Sequence, residues 1–292
     1  MGAVRTSTRG PPQHSLEDVG MNPVLGEVEG NLLHVATLNV RRPLPRGLSR
    51  GADRWERRRP ALLASLSRES PSVISLQEVL PGPARDIARA LGGEYGRIGV
   101  GRGRGGRGEG CPIFFDRSRL ELIDHQQLAL SASPEVAGSR SWGNPLPRAM
   151  VIGVFRDRRA RASFAVINTH LDPFSSRSRV RAAEQIRQVV RRRGLPTVVM
   201  GDMNAAEGSP ALEALTRGNL LTDAWTTAAE RVTPPWGTYS GYRPPVRGGK
   251  RIDWILTTPD VAVERVGIDA RLEDGVAGSD HLPVHAAIEV PR

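Results

Sequence analysis

Cysteine occurs once in this sequence, at Cys111. No disulfide can close within the chain, and the fold does not require an oxidising compartment. Lysine also occurs once, at Lys250, so the formal net charge of +10 is almost wholly arginine. A planar guanidinium grips phosphate with paired hydrogen bonds, and a basic chain favours an anionic partner. A GC-rich genome gives the same bias. Aromatic residues make up only 4%, so the core must be built from Leu, Val, Ile and Ala, and no aromatic stacking series for a nucleic-acid strand is present. No apolar run is long enough to span a bilayer, and the first thirty residues lack the apolar centre of a secretory signal. The setting expected is cytoplasmic, with leaderless export as the alternative. No membrane insertion is expected and no protein partner is evident.

The segment 1–30 is rich in Gly, Pro, Ser, Thr and charge without sustained periodicity, which predicts a disordered or loosely attached tail. From 31 to 292 there is neither a long linker nor an internal repeat, so one domain is expected. Short apolar runs predict strands at Leu33–Leu38, Val73–Leu76, Ile113–Phe115, Met150–Phe155, Phe164–Ile167, Thr197–Met200, Ile252–Leu256 and Val284–Val290. Helices are predicted at Pro60–Arg68, Ala84–Leu91, Arg177–Arg193 and Pro210–Thr216, with Pro60 in an opening turn. The third ends in Arg191, Arg192 and Arg193 before Gly194, which suits both the helix dipole and a glycine stop. In the last strand Val284, Ala286, Ile288 and Val290 share one face opposite His285 and Glu289, which predicts a sheet with one wet face.

Polar groups recur at the strand ends. Asn39, then Gln77 and Glu78, then Asn168 and His170, then Asp202 and Asn204 follow strands, whereas Asp253 opens one and Asp280 and His281 precede another. Groups that finish some strands and start others meet at one edge only if strand directions are mixed. Two such sheets packed face to face with helices outside give an α/β fold of the α+β type, a four-layer α/β/β/α sandwich of mixed, mainly antiparallel sheets.

Asn39, Glu78, Asp202, Asn204 and Asp280 offer oxygen, and no cysteine cluster or paired-histidine helix accompanies them. A hard cation, Mg²⁺ or Mn²⁺, fits this set and Zn²⁺ fits it poorly. His170 and His281 add groups that move protons near neutral pH. Together they could position a water and neutralise charge about a phosphorus centre.

Six blocks then stand in order: Thr-Leu-Asn-Val ending at Val40, Ser-Leu-Gln-Glu at 75–78, Asn-Thr-His-Leu-Asp at 168–172, Gly-Asp-Met-Asn-Ala at 201–205, Arg-Ile-Asp-Trp-Ile-Leu at 251–256 and Ser-Asp-His-Leu-Pro-Val at 279–284. In these the chain resembles the endonuclease/exonuclease/phosphatase family over nearly everything beyond the tail. It is similar to a bacterial phosphatase-like branch in Gly-Val-Gly-Arg-Gly at 99–103, Gly-Glu-Gly-Cys-Pro-Ile-Phe-Phe at 108–115, Gly-Ser-Arg-Ser-Trp at 138–142, Pro-Arg-Ala at 147–149 and Gly-Thr-Tyr at 237–239. The resemblance implies that Glu78 is the principal metal ligand, helped by Asn39 and Asp280. It implies that Asp202 positions or deprotonates water and that Asn204 holds a phosphate oxygen. His281, oriented by Asp253, and His170, oriented by Glu109, would stabilise charge on the phosphate, with Arg148 as a further contact. Gln77 and Asn168 stand in a second tier, as backbone braces or, for Asn168, a substrate contact. Asp172 before Pro173 reads as turn chemistry, and Trp254 as core packing.

Glycines 101, 103, 105, 106 and 108 with Arg102, Arg104 and Arg107 predict a mobile loop that either clamps phosphate or is simply solvated. The function expected is divalent-metal-dependent hydrolysis of a phosphomonoester or phosphodiester by activated water. The substrate is a phosphorylated small molecule or a nucleic acid. A DNA or RNA nuclease is the nearest rival, and a non-catalytic phosphate- or nucleic-acid-binding protein is the alternative from another class.

Overall fold

Short, mostly apolar strands pair edge to edge into two sheets, and these pack on each other. The computed structural model describes residues 22–45 and 47–292. The first sheet orders as β10 (Glu230–Arg231), β12 (Ala262–Ile268), β13 (Val284–Glu289), β1 (Leu33–Asn39), β2 (Val73–Gln77), β4 (Ile113–Asp116) and β3 (Tyr95–Ile98). The second orders as β5 (Leu120–Ala129), β6 (Ala149–Asp157), β7 (Ser163–His170), β8 (Thr197–Asp202), β11 (Asp253–Thr257) and β9 (Thr222–Asp223). Parallel pairing joins β1 to β2, β7 to β8 and β10 to β12, and the other pairs are antiparallel.

Three apolar clusters define four layers. Between the sheets lie Leu33, Val35, Val73, Ile113, Phe155, Phe164, Val198, Met200 and Ile288. Against the outer face of the first sheet, α1 (Trp55–Glu69) and α2 (Pro81–Leu91) bury Leu62, Leu66 and Ile87 on Leu38, Ile74 and Phe114. Against the second, α3 (Ser176–Arg193) and α4 (Pro210–Thr216) bury Ile186 and Leu215 on Ile167, Val199 and Trp254. A one-turn helix, α5 (Ala224–Thr227), follows β9. The sandwich expected from the strand-end pattern is the one found.

Several details depart from the sequence reading. Helix α1 begins at Trp55, so Pro60 lies inside it and not in the opening turn. A proline near the start of a helix is tolerated because the first four amide hydrogens have no partner anyway, and at its sixth position the cost is one bond. The face of β13 opposite the core is wet only at its end, where Glu289 is exposed; His285 is 3% exposed and pairs with His34 (His34 Nε2 to His285 Nδ1, 3.0 Å) beneath α1. Strands β3, β5 and β12 and the two-residue β9 and β10 escaped the periodicity reading. Chain before Asn31 also packs: Leu25 is buried, Val24 N–H donates to Glu69 Oε2 (2.9 Å), and Arg265 donates to Leu25 O and Glu27 O. The rest of the expected tail, residues 1–21, lies outside the described residues.

Close approach of strands explains one glycine. Gly201, in β8, has φ 142°, and a Cβ there would lie 1.9 Å from Thr169 O of the parallel neighbour β7. That closeness lines up the ends of both strands, where His170 pairs in register with Asp202.

Candidate active site

Strand register gathers the polar ends at one edge. Asn39 pairs with Gln77 where β1 and β2 end together, and Glu78 follows at once. Asp202 at the end of β8 sits between His170 of β7 and Asp253, which opens antiparallel β11. The turn before β13 brings Asp280 and His281 to the same edge. Together with Arg41, Arg42, Arg102, Glu109, Leu146, Arg148, Phe174, Asn204 and Tyr239, most of these residues line one pocket of about 380 Å³. Glu78 (φ 60°), Asn204 (φ 47°) and Arg41 (φ 53°) are left-handed non-glycine residues, a costly conformation that concentrates where side chains are aimed for function.

Asp202 is the hub. Its Oδ1 accepts the backbone N–H of Asn204 (2.9 Å), and its Oδ2 accepts Asn39 Nδ2 (3.0 Å). His170 Nε2 lies 3.4 Å and His281 Nε2 3.9 Å from that same Oδ2. Burial and the neighbouring Asp253 charge push the Asp202 carboxyl up to about 7, against the pull of His281, Asn39 and the Asn204 amide. A carboxyl near neutrality can hold or release a proton at working pH. His281 behaves oppositely. Burial disfavours its charge, but Asp253 Oδ2 at 2.9 Å from Nδ1, with Asp202 and Asp280 nearby, raises it to about 10. It is therefore an imidazolium with Nε2 free to donate toward the pocket. Burial, Arg148 and Arg102 hold His170 well below its usual value, so that ring is neutral.

A cation has suitable ligands beside this hub. The Glu78 oxygens accept Asn39 Nδ2 (3.1 Å) and Arg42 N–H (3.0 Å), which leaves lone pairs on both. Asp280 meets Arg41 Nε only at 3.8 Å, and Asn39 Oδ1 is turned onto Arg41 N–H. The Glu78 and Asp280 carboxylates fit Mg²⁺ or Mn²⁺, whereas Asn39 turns its Nδ2 to Glu78 and Asp202 and would add an oxygen ligand only with its amide reversed. Asp202, Asp253 and His281 also place ligand atoms within 4.8 Å of one another, but the Asp253–His281 hydrogen bond occupies one atom of each. They read better as a proton-handling array.

Two expected contacts are different in the structure. Glu109 does not orient His170; it pairs with Arg102 and, at 3.5 Å, with Arg42, and the carboxylate next to His170 is Asp202. Asn168 is not a pocket residue. It is fully buried, accepts Gln77 Nε2 (2.7 Å), and donates to Leu76 O, Cys111 O and Pro112 O, bracing one sheet against the other. Gln77 is buried in the same brace and also donates to Thr37 Oγ1. Arg148 does line the pocket. It is 4% exposed, its nearest carboxylate is Asp172 at 3.6 Å, and its Nε and Nη1 lack hydrogen-bond partners. Buried donors left open in this way suit an anion.

The Gly/Arg loop is closed on itself and not open. Gly101 N–H donates to Gly106 O, Arg102 N–H to Glu109 O and Gly103 N–H to Arg107 O. Arg102 turns inward, while Arg104 and Arg107 stay exposed. The sequence reading passed over Arg41, Arg42, Leu146 and Phe174, and gave Tyr239 only as part of the Gly-Thr-Tyr block. Arg41 and Arg42 could have been found by their position directly after a block ending at Val40. Phe174 and Leu146 carry no local signal.

The model of the Endonuclease/Exonuclease/phosphatase family matches residues 36–281. Among solved structures, an endonuclease/exonuclease/phosphatase of Bacteroides vulgatus is 30% identical with a TM-score of 0.81, covering 89% of this chain and 99% of that one. A mannosyl-6-phosphatase of Bacteroides thetaiotaomicron is 27% identical with a TM-score of 0.80, covering 88% and 99%. Among curated proteins, Protein angel of Drosophila melanogaster is 28% identical over 176 residues, which are 56% of this chain and 48% of that protein. The chain thus spans about half the length of that relative. Among the described residues no helix is long and apolar enough to cross a membrane.

Proposed function

The chain belongs to the endonuclease/exonuclease/phosphatase family, and from that premise we propose that it is a divalent-metal-dependent phosphoesterase that hydrolyses a phosphomonoester or phosphodiester by in-line attack of water. Members of the family hydrolyse phosphoester bonds and generally use a divalent metal. The observation that carries the reading is the convergence of Asn39, His170 and His281 on Asp202 Oδ2, beside Glu78 and Asp280.

In this reading Glu78, Asn39 and Asp280 hold Mg²⁺ or Mn²⁺, which when bound neutralises charge on the phosphate. Asp202 accepts the proton of the attacking water. His281, kept charged by Asp253, donates to a phosphoryl oxygen whose charge grows in the transition state. Asn204 and neutral His170 donate to other phosphate oxygens, and Arg148 offers its open donors. No covalent intermediate is needed, since Asp202 lines the pocket as a base for water. The compact pocket and the likeness to a mannosyl-6-phosphatase support a small phosphate ester as substrate. The exposed Arg42 in the pocket lining supports the nuclease alternative.

A phosphate-release and strand-cleavage panel tests the proposal. It runs sugar phosphates, nucleotides, a phosphodiester reporter, single- and double-stranded DNA, and RNA, each with Mg²⁺, Mn²⁺ or chelator. Metal-dependent turnover of one class, abolished by Asp202→Ala, is the expected outcome. Activity that survives in the variant would overturn the role of Asp202, and silence across the panel would favour a binding protein on this scaffold.

A further inference from the structure

We propose that Arg58, on α1, is the positioning residue that fixes the loop carrying Asn39 against the loop carrying Asp280 and so sets the cation affinity of the site. The proposal rests on the metal-dependent reading above.

Arg58 is fully buried, and its guanidinium is partnered by four backbone carbonyls and one ring. Nη1 donates to Val40 O (2.7 Å) and Gly278 O (3.3 Å), Nη2 to Arg41 O, and Nε to Asp53 O (3.3 Å), while the Trp55 ring centroid lies 4.9 Å from Cζ. Its direct hydrogen-bond partners are all neutral, while the Asp53 and Asp280 carboxylates act on it through space against the cost of burial. What its bonds achieve is geometric. Val40 and Arg41 follow Asn39 directly, and Gly278 precedes Asp280 by two residues, so one rigid fork ties together two segments far apart in sequence.

Two further contacts make the junction tight. Ser279 Oγ donates to Asn39 O at 2.5 Å. A Cβ on Gly278 would lie 2.8 Å from Leu62 Cα, so the Asp280 loop rests on α1 one turn beyond Arg58. The left-handed turn at Arg41, which directs its side chain toward Asp53 and Asp280, is held through the bond from Arg58 to Arg41 O. Lysine keeps the charge but lacks the planar fork and cannot hold these carbonyls together. Loosening the supports of metal ligands typically weakens metal affinity about 10- to 100-fold.

A second buried arginine supplies the control. Arg187 is 3% exposed and donates to Leu215 O (2.9 Å) and Arg217 O (2.6 Å), joining α3 to the end of α4 without lining the pocket. Mn²⁺ binding to the full chain, read by electron paramagnetic resonance, and thermal unfolding are measured for the wild type, Arg58→Lys, Arg187→Lys and Ser279→Ala. Both arginine variants are expected to melt earlier, whereas only Arg58→Lys should lose Mn²⁺ affinity, by about tenfold or more. Ser279→Ala, a milder cut at the same junction, should weaken binding in the same direction. Wild-type affinity in folded Arg58→Lys, or an equal loss in Arg187→Lys, overturns the proposal. If Arg58→Lys does not fold, unchanged affinity in Ser279→Ala overturns it. A wild-type protein that binds no Mn²⁺ sinks the metal-dependent reading itself and this inference with it.

Discussion

The Asp253–His281 pair shows how one buried contact decides a residue's chemistry. Burial alone would strip His281 of its proton, and the carboxylate at 2.9 Å reverses that and carries it to about 10. In Asp253→Asn the charge is gone while the shape is nearly kept, so the titration of His281 should move down toward or below the usual histidine value, and kcat should fall more than KM rises. Imidazole chemical shifts followed by NMR across pH 5 to 10, with steady-state kinetics, check both. An unmoved titration would mean that Asp253 does not set the charge of His281. Residues that line the pocket were legible in the sequence where they sit in blocks with strand-end spacing, as Glu78, Asp202 and His281 do. Asn168 was legible as a position but divided in role, because an amide at a strand end looks alike whether it meets substrate or spends its bonds on Leu76, Cys111 and Pro112.

At the scale of elements, apolar runs announced the strands that are buried on both sides, such as β1, β2, β7 and β8. The strands that were missed break that rule. In β5, Glu121 and residues 124–126 are exposed, and in β12 Ala262 and Glu264 are. Edge or half-covered strands of this kind carry no continuous hydrophobic signal, and their pairing is fixed by partners distant in sequence. The buried polar pair His34 and His285 misled in the other direction, since polarity on a strand face reads as exposure until a helix is known to cover it. The early start of α1 has a similar origin: Arg57, Arg58 and Arg59 look like solvated chain, yet Arg58 is wholly buried. Long-range use of a charged side chain has no local signature.

For the whole molecule, His34 and His285 place a limit on acid stability. Burial, with the charge of the other histidine, drives His34 down to about 3, and burial drives His285 down to about 4. Both are neutral in the fold and take up protons on unfolding near 6.5. The unfolded chain therefore binds more protons below that value, and stability is lost as pH falls from 6.5 toward 4. The expected cost at pH 5, relative to pH 8, is about 2 kcal/mol for each histidine. Urea midpoints at the two pH values should separate less in His34→Gln than in the wild type. Equal separation would show that these histidines do not govern the acid limb.

The most direct measurement of the central claim is the Mg²⁺ dependence of phosphate release from the best substrate in the panel, for the wild type and Glu78→Gln after chelator treatment. The wild type should be silent without metal and recover in a saturable way. Glu78→Gln should stay silent or need far more metal. Turnover that persists in chelator, or a variant with the wild-type metal dependence, would contradict a metal-dependent phosphoesterase working through Glu78.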